Sequence, residues 1–135
     1  MISYDSNVLI YALESSGEIG LSAQKIVKRG ETDGACLSVL VRQELLSGAL
    51  LHGNDPGVLA TVFDQFGATQ FVDVHAGIVQ IALELTGEFG RKCLGYDAIL
   101  LATAIYMECT AFYTNDDKIL KIKTPRINIL PVKKY

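Results

Sequence analysis

The amino-acid sequence predicts an α/β fold with a central parallel sheet of about five strands. Short apolar segments alternate along the chain with longer segments of helical spacing, which is typical of strands joined by crossover helices. Half of the 135 residues are hydrophobic, which is enough for a substantial core, so we expect one domain over residues 1–135. A parallel sheet of this kind is covered by helices on both faces.

Five segments have the length and composition of strands. The first is followed directly by Asp5, and the others are bounded by glycine or polar residues, as strands in parallel sheets commonly are. The predicted strands are Met1 to Tyr4, Gly34 to Leu37, Phe71 to Val74, Ala111 to Thr114 and Ile127 to Leu130.

Helices are predicted between these strands from apolar spacing and from residues that favour helix ends. Ser38 is suited to capping a strongly apolar helix, and Gly30 follows the last residue of another. The predicted helices are Val8 to Leu13, Leu21 to Arg29, Ser38 to Leu51, Val58 to Phe66, Ile78 to Phe89 and Tyr96 to Met107.

Composition excludes several classes of protein. The net charge of −3 gives no general attraction to nucleic-acid phosphates, so a polyanionic substrate requires local basic residues or metal ions. No stretch of about 18 apolar residues or basic leader is present, so we expect a cytoplasmic protein without a membrane span. The odd number of widely spaced cysteines favours buried small hydrophobic residues over disulfides or a zinc site.

Two acids follow predicted strands. Asp5 follows the first strand and Asp116 follows the fourth. In open parallel sheets, ligands bind at the carboxyl ends of the strands, so both acids are candidates for a binding site. Each also has a simpler interpretation as a helix cap, for which Ser6 competes with Asp5 and Asp117 competes with Asp116.

Two further acids lie on apolar helices. Glu44 has Leu40, Val41 and Leu51 as helical neighbours, which predicts a carboxylate on an apolar face with a cationic group nearby. A salt bridge to Arg42 or simple exposure is the alternative. Asp97 begins a helix that is apolar on nearly every side, and an N-cap is its simpler interpretation.

Four acids at strand ends and on helix faces next to the core would repel one another. A hard divalent cation relieves this repulsion, because Mg²⁺ and Mn²⁺ take carboxylate oxygens and leave positions open for phosphate oxygens. Such ions also activate water for phosphodiester hydrolysis. The pattern therefore favours a metal-dependent activity on a phosphate-containing substrate.

The segments "ISYDSNVLIYAL", "LSVLVRQELLSG", "YDAILLATA" and "FYTNDDKIL" together resemble the PIN domain family, most closely the VapC-type toxin ribonucleases of type II toxin-antitoxin systems. The resemblance spans nearly the whole chain and implies a three-layer α/β/α fold with strand order 3-2-1-4-5. It implies that the catalytic and metal-binding acids are Asp5, Glu44, Asp97 and Asp116. Polar support around them is expected from Ser6, Asn7, Thr114, Asn115 and Asp117.

The choice between the two adjacent acids rests on spacing. Asp116 keeps the T-x-D spacing of the family, so it is assigned to the metal and Asp117 to the cap of the following helix. Many relatives carry a further acid where Lys118 stands.

The resemblance implies a Mg²⁺- or Mn²⁺-dependent endoribonuclease, usually a homodimer inhibited by a small VapB-like antitoxin. The alternatives are a PIN nuclease that acts in RNA processing or on DNA flaps without an antitoxin, and a catalytically silent PIN-like binding module. Tyr96 and Tyr11 are candidates for stacking on a base, although core or rim positions are the simpler interpretation. The candidate RNA-binding residues, for which a solvated charged surface is the alternative, are Arg42, Arg91, Lys92, Lys118 and Lys121.

Overall fold

The computed structural model describes residues 1–14, 16–64 and 67–132. The strands are β1 (Ile2–Tyr4), β2 (Ala35–Ser38), β3 (Thr69–Val72), β4 (Ala111–Thr114) and β5 (Asn128–Pro131). The helices are α1 (Ser6–Glu14), α2 (Glu18–Asp33), α3 (Val39–Leu51), α4 (Pro56–Asp64), α5 (Ala76–Phe89), α6 (Tyr96–Tyr106) and α7 (Asp117–Leu120), with a short 3-10 helix at Gly90–Lys92. Within the described residues, no helix has the length and hydrophobicity to cross a membrane.

The strands form one parallel sheet in the order β3-β2-β1-β4-β5. This order confirms the prediction. Strand β1 lies between β2 and β4, and Tyr4 pairs with Tyr113 in register. The carboxyl ends of β1 and β4 are therefore neighbours at one edge of the sheet, which brings the residues after them together.

Helices cover both faces of the sheet, as predicted for a three-layer fold. Helix α6 packs on β1, β2 and β4, and α5 packs on α6. Helices α1 and α2 pack on each other, and α3 contacts β2, β3 and α4. The largest fully buried side chains include Tyr4, Leu37, Leu101 and Phe112. The core is thus centred on the strands and helices that carry the acids.

Helix α2 continues beyond its predicted end at Gly30. It ends at Gly34, whose φ of 99° is favourable for glycine and whose N–H donates to the carbonyl of Gly30. Gly30 is instead a packing residue, because a Cβ there would lie 2.8 Å from Cβ of Ala35 on β2. The glycine allows α2 to approach the sheet closely.

The boundaries of β3 and α4 also differ from the prediction. Strand β3 is two residues nearer the N-terminus than predicted because its pairing with β2 extends only from Ala35–Thr69 to Ser38–Val72. Helix α4 begins at Pro56, which suits the first turn of a helix because proline lacks an N–H. Phe66, the predicted end of this helix, lies outside the described residues.

The cysteines are free and buried, as predicted. Cys109 hydrogen-bonds to Cys36, and Sγ of Cys36 lies 3.4 Å from Sδ of Met1. These sulfur atoms lie at the amino end of the central strands. Asp5 follows the carboxyl end of β1, so it lies at the opposite end of this strand from the sulfur atoms.

Replacement of Gly30 by alanine tests the close approach of α2 to the sheet. We expect Gly30→Ala to destabilise the protein by about 1–3 kcal/mol, because the added Cβ overpacks against Ala35. Gly87→Ala is the matched control: Gly87 is an exposed residue of α5, and a Cβ added there would have no atom within 4 Å, so alanine should stabilise by up to about 1 kcal/mol. Urea unfolding measures both changes, and equal effects at the two positions would contradict the packing role.

Candidate active site

Asp5 is a buried carboxylate at the end of β1, with 5% of its surface exposed. Its Oδ1 accepts a hydrogen bond from the N–H of Val8 at 3.3 Å, so Asp5 does cap α1. Its Oδ2 accepts a hydrogen bond from the hydroxyl of Thr114, which is itself fully buried. Asp5 is therefore held from its own helix and from the neighbouring strand.

Burial raises the pKa of Asp5 from 3.8 to about 6. The hydrogen bonds from Thr114 and from the N–H groups of Val8 and Asn7 lower this pKa, and the nearby carboxylate of Asp116 raises it. Since these interactions do not offset burial, the Asp5 carboxylate lacks full compensation for its charge. A cation bound beside it would supply that compensation.

Asp116 both caps α7 and lies near the other acids. It is half-buried, its Oδ1 accepts a hydrogen bond from the N–H of Lys118 at 2.8 Å, and its own N–H donates to Oγ1 of Thr114 at 3.0 Å. The prediction that Asp117 caps this helix was wrong. Asp116 has the extended backbone of an N-cap, whereas Asp117 is the exposed first residue of the helix.

Asp97 lies in the first turn of α6 and is half-buried. It is not the N-cap, because Gly95 has that position with a φ of 60°. Burial raises the pKa of Asp97, the carboxylates of Asp116 and Glu44 raise it further, and Lys118 lowers it. Asp116 and Glu44 are thus both close enough to Asp97 to act on it electrostatically.

Glu44 is exposed, so the prediction of a carboxylate on an apolar face was wrong and the alternative of simple exposure was right. The buried stripe of α3 runs through Val41 and Leu45, and Glu44 lies on its flank. The expected cationic partner is replaced by a neutral donor, because the phenol of Tyr96 donates a hydrogen bond to Oε2 of Glu44.

Arg42 does not pair with Glu44. Its Nη1 lies 3.6 Å from Oδ1 of Asp64, and its guanidinium lies 5.5 Å from the ring centroids of both Phe63 and Phe71. This ion pair and the aromatic contacts direct the charge of Arg42 away from the hydrogen bond of Glu44.

The hydrogen bond between Tyr96 and Glu44 was not predicted from the sequence, in which Tyr96 is a candidate only for stacking on a base. The residue is half-buried at the start of α6, immediately before Asp97. Burial raises the pKa of Tyr96, and its hydrogen bond to Glu44 raises it further, so the phenol stays protonated as a donor. Its position beside Asp97 was the available signal in the sequence.

The other expected polar residues have different contacts. Ser6 is buried, and its side chain lies close enough to the phenol of Tyr96 to lower the pKa of Tyr96. Asn7 is exposed and contributes its backbone N–H to Asp5. Oδ1 of Asn115 accepts a hydrogen bond from the N–H of Val132 at 3.0 Å, which ties the ends of β4 and β5 together. Thr114 differs from these three because its side chain contacts an acid of the group directly.

The donor chemistry suits a hard divalent cation. Asp5, Asp97 and Asp116 supply carboxylate oxygens from three chain segments, and oxygen is the ligand type that Mg²⁺ and Mn²⁺ prefer. Among the residues that the structure describes, however, no group of three or more His, Cys, Asp or Glu side chains is arranged so that it could hold a metal ion. The acids are near one another without being arranged as a finished shell.

A profile of the PIN domain matches residues 2–125 of the chain. The chain belongs to the PIN domain family. This confirms the family resemblance inferred from the four sequence segments. No curated protein sequence matches the chain significantly.

Solved structures share the fold of this PIN domain. A DNA-bound VapBC from Salmonella typhimurium matches with a TM-score of 0.73 at 20% identity, covering 97% of this chain and 97% of that one. VapBC2 from Rickettsia felis, bound to a promoter DNA fragment, has a TM-score of 0.72 at 20% identity and coverages of 97% and 98%. A toxin-antitoxin complex from Klebsiella pneumoniae has a TM-score of 0.68 at 21% identity and coverages of 94% and 95%.

An apolar groove of about 680 Å³ adjoins Glu44. Helices α1, α3 and α4 form its walls. Two large apolar side chains at the groove are exposed, Leu13 at 52% and Val58 at 65%. The apolar lining residues include Ile10, Leu13, Leu45, Val58, Leu59 and Val62.

Removing the Asp5 charge should stabilise the metal-free protein at neutral and higher pH. The folded-state pKa of about 6 exceeds the ordinary 3.8, so wild-type stability falls as pH rises through this interval, by at most about 3 kcal/mol. Asn can still cap α1. We therefore expect Asp5→Asn to raise the melting temperature in EDTA at pH 8, with the gain shrinking towards pH 4.

Thermal unfolding across this pH range measures the effect, with Asp117→Asn as a control because Asp117 is exposed. An increase in the melting temperature of Asp5→Asn that is the same at pH 4 and pH 8 would contradict the burial of a charged Asp5.

Proposed function

We propose that this PIN domain is a VapC-type endoribonuclease of the cytoplasm that hydrolyses RNA phosphodiester bonds with Mg²⁺ or Mn²⁺. The observation that carries the proposal is the proximity of Asp5 and Asp97 to Asp116, which follows β4: the carboxylate of Asp116 raises the pKa of both. A stable fold has no need to gather these charges, because partly buried like charges are destabilising. Binding of a divalent cation accounts for the gathering.

The acids have distinct parts in this proposal. Asp5, Asp97 and Asp116 bind the cation, and Glu44 either joins them or accepts a hydrogen bond from the attacking water. Thr114 orients Asp5 and, through the N–H of Asp116, the start of α7. When bound, the cation lowers the pKa of a water molecule and offsets negative charge on the phosphate.

Basic residues near the acids favour an RNA backbone as substrate. Lys118 is exposed and close enough to Asp97 to lower its pKa. Arg91 and Lys92 are exposed in the 3-10 helix that precedes α6, and Lys121 is exposed after α7. We propose that these residues contact phosphates on either side of the cleavage position. Arg42 is less suited to this part because it pairs with Asp64.

We propose that a small antitoxin inhibits the enzyme by laying an apolar segment in the groove beside Glu44. The proposal is supported by the exposed apolar groove and by the likeness to folds solved as toxin-antitoxin and VapBC complexes. We also propose a homodimer. Val79 and Leu83, one turn apart on α5, expose 40% and 62% of their surfaces and suit a contact between two copies.

Metal-dependent cleavage is the direct test of the activity. We expect the wild-type protein to cleave structured RNA in the presence of Mg²⁺ or Mn²⁺ and to lose this activity in EDTA. Asp116→Asn should reduce the rate at least about 100-fold, since it removes a charge from the ion-binding group. Asp117→Asn should change the rate less than about threefold, because Asp117 is exposed outside the group of acids.

Gel assays of 5′-labelled RNA and of a DNA flap measure these rates. Loss of activity only with Asp117→Asn would reverse the assignment of the two acids. Preferential cleavage of the DNA flap would favour the flap nuclease, and Mn²⁺ binding by calorimetry without cleavage would favour a silent module.

The antitoxin proposal is tested by growth. Expression of the wild-type protein should arrest cells, and coexpression of the small protein encoded beside its gene should restore growth. Val58→Glu, which puts a charge into the groove, should still arrest growth but respond at least about tenfold less to the small protein.

Leu21→Glu is the matched control, because Leu21 is 57% exposed on α2 and does not line the groove. Equal rescue of both variants would show that the inhibitor binds elsewhere.

A further inference from the structure

The phenol of Tyr96 lies between two parts of the candidate active site. It donates a hydrogen bond to Oε2 of Glu44 on α3, and it lies close enough to the Ser6 side chain, at the start of α1, for Ser6 to lower its pKa. Asp5 also acts on it electrostatically. One hydroxyl group thus connects three helices, each of which begins beside or carries a candidate acid.

Ser6 and Tyr96 each directly adjoin an acid of the candidate site in the chain. Ser6 is 6% exposed and directly follows Asp5, whose carboxylate is fixed by Val8 and Thr114. Tyr96 is the first residue of α6 and directly precedes Asp97. The phenol therefore has a defined position relative to both of these acids.

Glu44 is the least constrained acid of the group. It is exposed, and a glutamate side chain in water has several rotamers of similar energy. Its position relative to Asp5 and Asp97 therefore depends on the hydrogen bond from Tyr96. Catalytic groups require such support to within a fraction of an ångström.

We propose that Tyr96 is a positioning residue that holds the Glu44 carboxylate towards Asp5 and Asp97. This inference rests on the proposed ribonuclease function and adds to it the residue that orients the fourth acid. Tyr96 occupies Oε2 of Glu44 as a neutral donor and leaves the negative charge in place. The carboxylate is then held in one orientation, and its other oxygen would be available to the attacking water or to an ion.

The competing interpretation of Tyr96 is stacking on an unpaired base of the substrate. The two predict different responses, because phenylalanine keeps the ring and loses the hydroxyl. Stacking survives Tyr96→Phe, whereas positioning does not.

Kinetics of Tyr96→Phe test the inference. We expect kcat to fall about 10- to 100-fold, as when other groups that orient metal ligands are removed, and KM for RNA to change less than about threefold. Tyr106→Phe is the matched control at the other end of α6, and it should keep the wild-type rate. In a Glu44→Ala background, Tyr96→Phe should have no further effect on the residual rate.

A wild-type kcat in Tyr96→Phe would overturn the inference. Loss of RNA affinity in Tyr96→Ala but not in Tyr96→Phe would assign the ring to stacking instead. An equal loss of kcat with and without Glu44 would also overturn it, because Tyr96 would then act through another group.

A thermodynamic cycle tests the same contact without any activity. In EDTA, the effects of Tyr96→Phe and Glu44→Ala on the unfolding equilibrium constant should differ from additivity by at least about threefold. Additive effects would overturn the inference even if the protein cleaves RNA. If the wild-type protein does not cleave RNA, the proposed function fails, and the cycle still decides whether Tyr96 holds Glu44.

Discussion

The hydrogen bond from Thr114 to Asp5 joins the ends of the two central strands, and the rest of the candidate site is arranged around it. The parallel register of β1 and β4 places Asp5 beside Thr114, and the N–H of Asp5 donates to the carbonyl of Tyr113 at 3.2 Å. Oγ1 of Thr114 also accepts from the N–H of Asp116. One buried hydroxyl thereby links the carboxylate of Asp5 to the backbone of Asp116, so the site depends on the pairing of these strands.

In this arrangement, the stability of the metal-free protein and the proposed function place opposite demands on the acids. Burial raises the pKa of Asp5 and Asp97, which means that folding the metal-free protein works against ionisation of both. The sheet and the helices around it tolerate this because the core beneath the acids is continuous and apolar, with residues such as Leu9, Leu101 and Phe112 fully buried. A bound cation would reverse the sign of the electrostatic contribution, so stability and metal binding are linked.

The sequence predicted the parallel sheet and its strand order because apolar periodicity and chain order determine which segments are buried, and because the family resemblance supplied the order. It placed the acids on the correct elements for the same reasons. Local pattern failed where a tertiary contact decided the outcome: Gly30 looked like a helix end but allows close packing on Ala35. Likewise, Glu44 lies among apolar neighbours in the sequence, yet α3 turns that flank towards an open groove. The partner of Glu44 is 52 residues away and has no local signature.

The groups that donate hydrogen bonds to Asp5, Asp116 and Glu44 share one chemical property, which is that they are neutral. Hydroxyl and backbone N–H groups bind Asp5, a backbone N–H binds Asp116, and a phenol binds Glu44. A neutral donor orients a carboxylate without cancelling its charge, whereas an arginine would do both and would compete with a metal ion. Arg42, only two positions from Glu44, is instead paired with Asp64 and packed on two aromatic rings. Orientation without neutralisation is what a cation-binding site requires, and a stabilising salt-bridge network would require the opposite.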